Sequence, residues 1–111
     1  MTYLDYAASS PMNERAIVAY SEVASKMYGN PSSLHDVGGQ AASAIAWARK
    51  VIADKLGVNP DGVIFTGSGT EGNILAILSL ARSEKRGRHI ITSIAEHTSV
   101  HAAMNTLERE G

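Results

Sequence analysis

The sequence predicts an α/β fold, because from residue 62 onward two short β-forming runs alternate with two helical patterns in the order β-α-β-α. A second observation is the turn Gly67-Ser68-Gly69-Thr70 between the first run and its helix, the kind of junction at which α/β folds hold ligands. A third is the pair of helical patterns that comes before them. The chain is therefore divided into N-terminal helices, 1–61, and the start of a parallel-sheet domain, 62–111.

Near the N-terminus, Asp5 after Leu4 is expected to order a turn rather than do acid–base work. Over residues 13–28, Ala16, Ile17, Tyr20, Val23, Ala24 and Met27 recur at helical spacing, with Pro11 before them and Gly29 after. The run Gly29-Asn30-Pro31-Ser32-Ser33 is dense in turn formers. A second helix follows, capped by Ser33 or Asp36, with Val37, Ala41, Ala44, Ile45, Ala48, Ile52 and Leu56 on one face, Trp47 packed within it, and Gly57 at its end.

Residues 62–66 read as a strand, since Val63, Ile64 and Phe65 are β-formers. The helix after the glycine turn carries Ile74-Leu75-Ala76-Ile77-Leu78, apolar nearly all round as in a fully buried helix, and Lys85, Arg86 and Gly87 close it. Residues 89–93 form a second expected strand, and Val100, Ala103, Met104 and Leu107 mark a last helix ending at Gly111. A right-handed crossover would bring residues 66–70 and 95–97 together at the carboxyl ends of parallel strands. Two strands alone leave sheet edges unpaired, so the chain reads as the N-terminal part of a larger α/β protein.

The glycine turn is expected to bind an anion. Unpaired N–H groups at a helix start point at one spot, the helix dipole favours negative charge there, and Ser68 and Thr70 add hydroxyls. A phosphate is the natural ligand. Gly67, Gly69 and Gly72 also fit the dinucleotide fingerprint, with Glu96 as a ribose-binding acid, so a Rossmann domain is the enzymatic rival, and a tight turn with no ligand is the plain alternative. His97 beside Glu96 lies at a strand's carboxyl end, where a site residue is favoured over a solvated helix start. His35, His89 and His101 have no ligand spacing, so no metal is expected. Thr66 stands where a serine-hydrolase elbow needs its first glycine.

Composition narrows the classes further. The 111 residues are 44% hydrophobic and 19% charged with a formal net charge of -1, which gives no basic excess for nucleic acid or an anionic membrane. A chain of this length buries roughly 65% of its unfolded surface if it folds alone. With 0 cysteines it has no disulfide, no thiolate ligand and no thiol nucleophile. The opening Met-Thr-Tyr-Leu-Asp-Tyr lacks the basic and apolar regions of a signal peptide, and no apolar run reaches membrane-spanning length, so the cytoplasm is the expected compartment.

Five segments carry a family resemblance: Tyr3-Leu4-Asp5-Tyr6-Ala7-Ala8, Gly29-Asn30-Pro31-Ser32-Ser33-Leu34-His35, Ile64-Phe65-Thr66 with Gly69-Thr70-Glu71, His89-Ile90-Ile91-Thr92-Ser93, and Glu96-His97. In this order and spacing the chain resembles the opening of a cysteine desulfurase, a pyridoxal-phosphate enzyme of the class V aminotransferase group with the type I fold. The resemblance covers essentially the whole chain. It implies removal of sulfur from L-cysteine to give alanine and an enzyme persulfide, supplying iron–sulfur clusters or thiolated cofactors, in a homodimer that passes sulfur to an acceptor protein.

By the same resemblance Gly69 and Thr70 bind the pyridoxal 5'-phosphate phosphate through backbone N–H and the threonine hydroxyl. His97 stacks on the pyridine ring and takes part in proton transfer. Asn30 and His35 border the active-site entrance. Two positions depart from the family pattern: Gly67-Ser68-Gly69-Thr70-Glu71 exchanges serine and glycine relative to the common Ser-Gly-Gly-Thr-Glu, and Ile74 replaces an asparagine. The family's cofactor lysine, pyridine-pairing aspartate and sulfur-receiving cysteine come later than residue 111, and Lys26, Lys50, Lys55 and Lys85 match no such motif. The chain alone is therefore expected not to turn over cysteine, whether it belongs to a desulfurase, to a related class V aminotransferase or lyase, or is a non-catalytic, truncated phosphate-binding or association module.

Overall fold

A computed structural model describes residues 2–83 and 87–111. These residues form four α-helices, α1 Glu14–Lys26, α2 Asp36–Leu56, α3 Gly69–Ser83 and α4 Thr98–Glu110, with a 3₁₀ turn at Pro60–Gly62. The chain divides into two compact units, one ending at Val63 and the other running from Ile64 to Gly111.

The expected α/β fold is not what forms. Among the described residues there is no β-strand, and 63–66 and 87–93 are irregular extended segments. A strand exists by hydrogen bonding to a neighbour across a ladder, and β-forming side chains alone do not supply one. Exposure of Ile64 at 65% and Ile91 at 87% marks side chains that no sheet neighbour covers. The expected β-α-β-α order survives only as extended segment and helix in alternation, without the parallel sheet of a type I fold.

In the first unit, Tyr3 donates its hydroxyl hydrogen bond towards the carbonyls of Asp5 (2.9 Å) and Ser9 (3.1 Å), and Ala8 N–H reaches the Asp5 carbonyl. Asp5 thus orders the turn through its backbone. Asn13 caps α1 by accepting from the Arg15 N–H at 3.0 Å. All of α1 is exposed, including the apolar positions Ile17, Tyr20 and Val23. Its amphipathic pattern made the helix, and among the described residues no side chain of α1 is buried.

The cap of α2 is His35, not Ser33 or Asp36: its Nδ1 accepts from the Gly38 N–H at 3.2 Å, and Asp36 is the first helical residue. The preceding loop folds back onto this start, so that a Cβ on Gly38 would strike the carbonyl oxygens of Ser33 and Asn30, and one on Gly29 would strike the Val37 carbonyl. At the other end Gly57 adopts the left-handed conformation (φ 67°), and Val58 N–H returns to the Ala53 carbonyl. The 3₁₀ turn starts at Asn59, whose Oδ1 accepts from Asp61 N–H, and Arg49 reaches the Val63 carbonyl at 2.8 Å. Gly38, Ala41 and Ala53 are the buried residues of α2. Trp47 lies on α2 as expected but is 69% exposed rather than packed.

In the second unit α3 and α4 run side by side in the same direction. Their starts are joined by Asn73 and Ser99, and their ends by Arg82 and Glu110. The extended segment before α4 runs back along it, since Arg88 bonds the Gly111 carbonyl and His101 Nε2 the Ile94 carbonyl. Val100, Ala103, Met104 and Leu107 face inward as their spacing predicts, with Ala103 buried. Helix α3 is not the fully buried helix its composition predicts. Among the described residues α4 covers one face of it, so Ile74, Ile77, Leu78 and Ala81 are half-buried while Leu80 is 70% exposed. The helix ends at Ser83; Lys85 and Arg86, its expected stop, lie outside the described residues.

Candidate functional site

The glycine turn opens α3, with Gly69 and Thr70 as its first two residues. Those positions leave their N–H groups without an intrahelical acceptor. The neighbouring donors are already used. Ser68 Oγ accepts from the Glu71 N–H at 3.2 Å, and the Glu71 carboxylate reaches back to the Gly67 N–H at 2.6 Å, a reciprocal arrangement close to a capping box. Thr66 Oγ1 donates to the Ser68 carbonyl at 3.1 Å and so steadies the turn.

A phosphate fits what remains. Among the described residues outside the adjoining chain, nothing lies within 4 Å of where a Cβ on Gly69 would sit, so the space beside this residue is open. Thr70 is exposed, and its hydroxyl stands beside the same helix start. The first turn favours negative charge through the helix dipole. The N–H groups of Gly69 and Thr70 are the ones this helix start leaves open, while the Gly67 N–H is bonded to Glu71.

His97 is the cap of α4. Its Nδ1 accepts from the Ser99 N–H at 3.2 Å and lies 2.8 Å from Ser99 Oγ. Ser99 is 5% exposed, and its Oγ accepts from Asn73 Nδ2 at 2.9 Å. Asn73 stands one turn into α3, so the helix that begins with Gly69 and Thr70 is tied to the first turn of the helix that His97 caps. Neither Asn73 nor Ser99 is evident from the sequence, because their contact spans 26 positions and belongs to no local pattern.

Asn30 and His35 lie in the first unit, each with a structural bond. Asn30 Oδ1 accepts from the Ser32 N–H at 2.9 Å, and His35 caps α2. Of the four lysines, Lys26 and Lys50 pair within their helices with Glu22 and Asp54. Beside the extended segment of the second unit, a groove of about 290 Å³ is lined by Arg82, Arg88, Ile90 and Glu110, away from the glycine turn.

The helix start at Gly69 is tied through Asn73 and Ser99 to a histidine-capped neighbour, and the comparisons give the chain a family. The class-V aminotransferase profile matches residues 2–111, and the chain belongs to that family. Its relatives include an IscS-like cysteine desulfurase of Mycobacterium tuberculosis, 46% identical over 116 residues, covering 100% of this chain and 29% of the relative. A NifS/IcsS protein homolog of Lactobacillus delbrueckii is 45% identical over 112 residues, covering 100% and 29%. A cysteine desulfurase IscS of Dictyoglomus turgidum is 41% identical over 110 residues, covering 98% and 28%. The chain thus spans about 30% of the length of the curated relatives it matches. No solved structure gives a significant match. Among the described residues no helix is long and apolar enough to cross a membrane.

Proposed function

We propose that the chain is the amino-terminal, cofactor-phosphate part of a pyridoxal-phosphate-dependent cysteine desulfurase, an enzyme that converts L-cysteine to L-alanine and leaves sulfur as an enzyme persulfide. The observation that carries this reading is the tie, through Asn73 and Ser99, between the Gly69-Thr70 start of α3 and the His97 start of α4. The family membership and the desulfurase relatives support it from outside the geometry.

Pyridoxal phosphate, when bound, supplies an electron sink for bond breaking at the substrate's α-carbon. The residues of this chain do simpler things. Gly69 and Thr70 hold the phosphate through two N–H groups and a hydroxyl, and the dipole of α3 favours its charge. His97 covers the ring and holds or passes a proton at Nε2, the ring nitrogen its cap bonds leave available. With 0 cysteines in these residues, the persulfide forms on a thiol supplied from elsewhere. Assembly as a homodimer in the cytoplasm, and delivery of sulfur to an acceptor protein for iron–sulfur clusters or thiolated cofactors, complete the proposal.

Calorimetric titration with pyridoxamine 5'-phosphate tests it, since that ligand has no aldehyde to react with surface lysines. The phosphate ester should bind, pyridoxamine should not, and inorganic phosphate should compete. Thr70→Ala should weaken binding about tenfold, the weight of one charge-assisted hydrogen bond. Equal binding of the ester and the phosphate-free amine, or no effect of Thr70→Ala, overturns the assignment.

A further inference from the structure

We infer that Asn73 and Ser99 are positioning residues that fix the tautomer of His97, so that its neutral ring presents an N–H donor at Nε2. The inference deepens the proposed function, on which its catalytic meaning rests, but its geometry stands without a cofactor.

The argument begins with a group whose direction cannot reverse. The backbone N–H of Ser99 is a donor only, and it points at His97 Nδ1 at 3.2 Å. Nδ1 must therefore offer a lone pair, which in a neutral imidazole places the proton on Nε2. Ser99 Oγ lies 2.8 Å from the same nitrogen, and with Nδ1 as acceptor the hydroxyl has to be the donor. Its oxygen then accepts from Asn73 Nδ2 at 2.9 Å. Every bond in the chain Asn73 to Ser99 to His97 runs one way, and that direction is set by the helix start.

Burial shields the arrangement from water. Ser99 is 5% exposed, so water competes little for its hydroxyl, and a buried hydroxyl turned away from Nδ1 would lose its partner. Asn73 enforces the orientation by occupying the oxygen lone pair as a donor. Because Asn73 belongs to α3, one side chain both orders the histidine and anchors the helix whose first residues are Gly69 and Thr70. A ligand seated between them meets His97 as a hydrogen-bond donor while the ring is neutral.

Nitrogen-15 NMR of the histidine rings in the 111-residue chain, recorded at a pH where imidazole is neutral, reads the tautomer directly. His97 should show a protonated Nε2 and an unprotonated Nδ1. Ser99→Ala should lower the ratio of the two tautomers about fivefold, the weight of one neutral hydrogen bond, and Ser99→Thr should restore it. Asn73→Asp, which cannot donate and draws the hydroxyl to its carboxylate, should act as Ser99→Ala does. Unchanged amide shifts of Ala103 confirm that each variant is folded. A protonated Nδ1 in the unsubstituted chain, or a ratio unmoved by Ser99→Ala and Asn73→Asp, overturns the inference. Failure of pyridoxamine 5'-phosphate to bind, with the ratios as expected, overturns the proposed function and leaves the tautomer assignment standing.

Discussion

Gly38 and Gly39 are adjacent on α2, and the space around them gives them opposite roles. A Cβ on Gly38 would meet backbone carbonyls of the folded-back loop, which cannot swing aside as a side chain would, whereas among the described residues one on Gly39 meets nothing within 4 Å. Gly38→Ala should therefore destabilise the first unit by about 1–3 kcal/mol, the range for overpacking a filled site. Gly39→Ala should stabilise it by roughly 0.5–1 kcal/mol, through helix propensity alone. Urea denaturation followed by helical circular dichroism checks both; equal shifts would refute the packing argument. At this scale the sequence told part of the site. Gly69 and Thr70 are placed at a helix start by residue type and spacing, whereas the His35 and His97 caps are hidden because serine and aspartate are the usual expectation there. Ser99 and Asn73 stay hidden for another reason, that their bond is tertiary.

Among the elements, α4 was legible because its determinants are local: the apolar spacing sets the buried face, and Gly111 closes it. The two expected strands were not, because pairing depends on a neighbour that no local run reveals. The same distinction governs how α3 and α4 hold together at their far ends, where Arg82 bonds Glu110 through Nη2 at 2.5 Å and Nε at 3.2 Å. The hydrogen bond from Arg82, with its charge, holds the Glu110 carboxyl below the ordinary glutamate range. A depressed folded-state pKa contributes stability that is present above the unfolded pKa and is lost as pH falls through the folded one. Acidification below about pH 4.3, the ordinary glutamate value, should therefore loosen these helix ends. The carboxyl-carbon shift of Glu110 should titrate below the ordinary glutamate range, and amide shifts at these helix ends should carry an acid-titrating component that Glu110→Gln removes and that salt weakens. A titration unchanged by that substitution would assign the effect to another group.

For the molecule as a whole, the decisive quantity is what the helices fail to bury. The buried apolar residues among those described are Ala41, Ala53 and Ala103, so every core position is filled by a methyl group. Fully burying a large aliphatic or aromatic side chain contributes about 1.5–3 kcal/mol, and in this chain Leu56, Leu80, Tyr20 and Trp47 withhold most of that by standing 68–70% exposed. The helices are therefore sustained mainly by caps, local pairs and alanine contacts, which give secondary structure more readily than rigid packing. Trp47, the single tryptophan, reports the consequence. In dilute solution its emission should be that of a water-exposed indole, open to iodide quenching, and should move little when urea removes the helical signal. A hydrophobic dye such as anilinonaphthalene sulfonate should bind before denaturant is added, because apolar side chains already meet solvent. A blue-shifted, quencher-protected Trp47 at micromolar concentration that reddens on dilution would mean instead that copies of the chain cover one another's exposed faces.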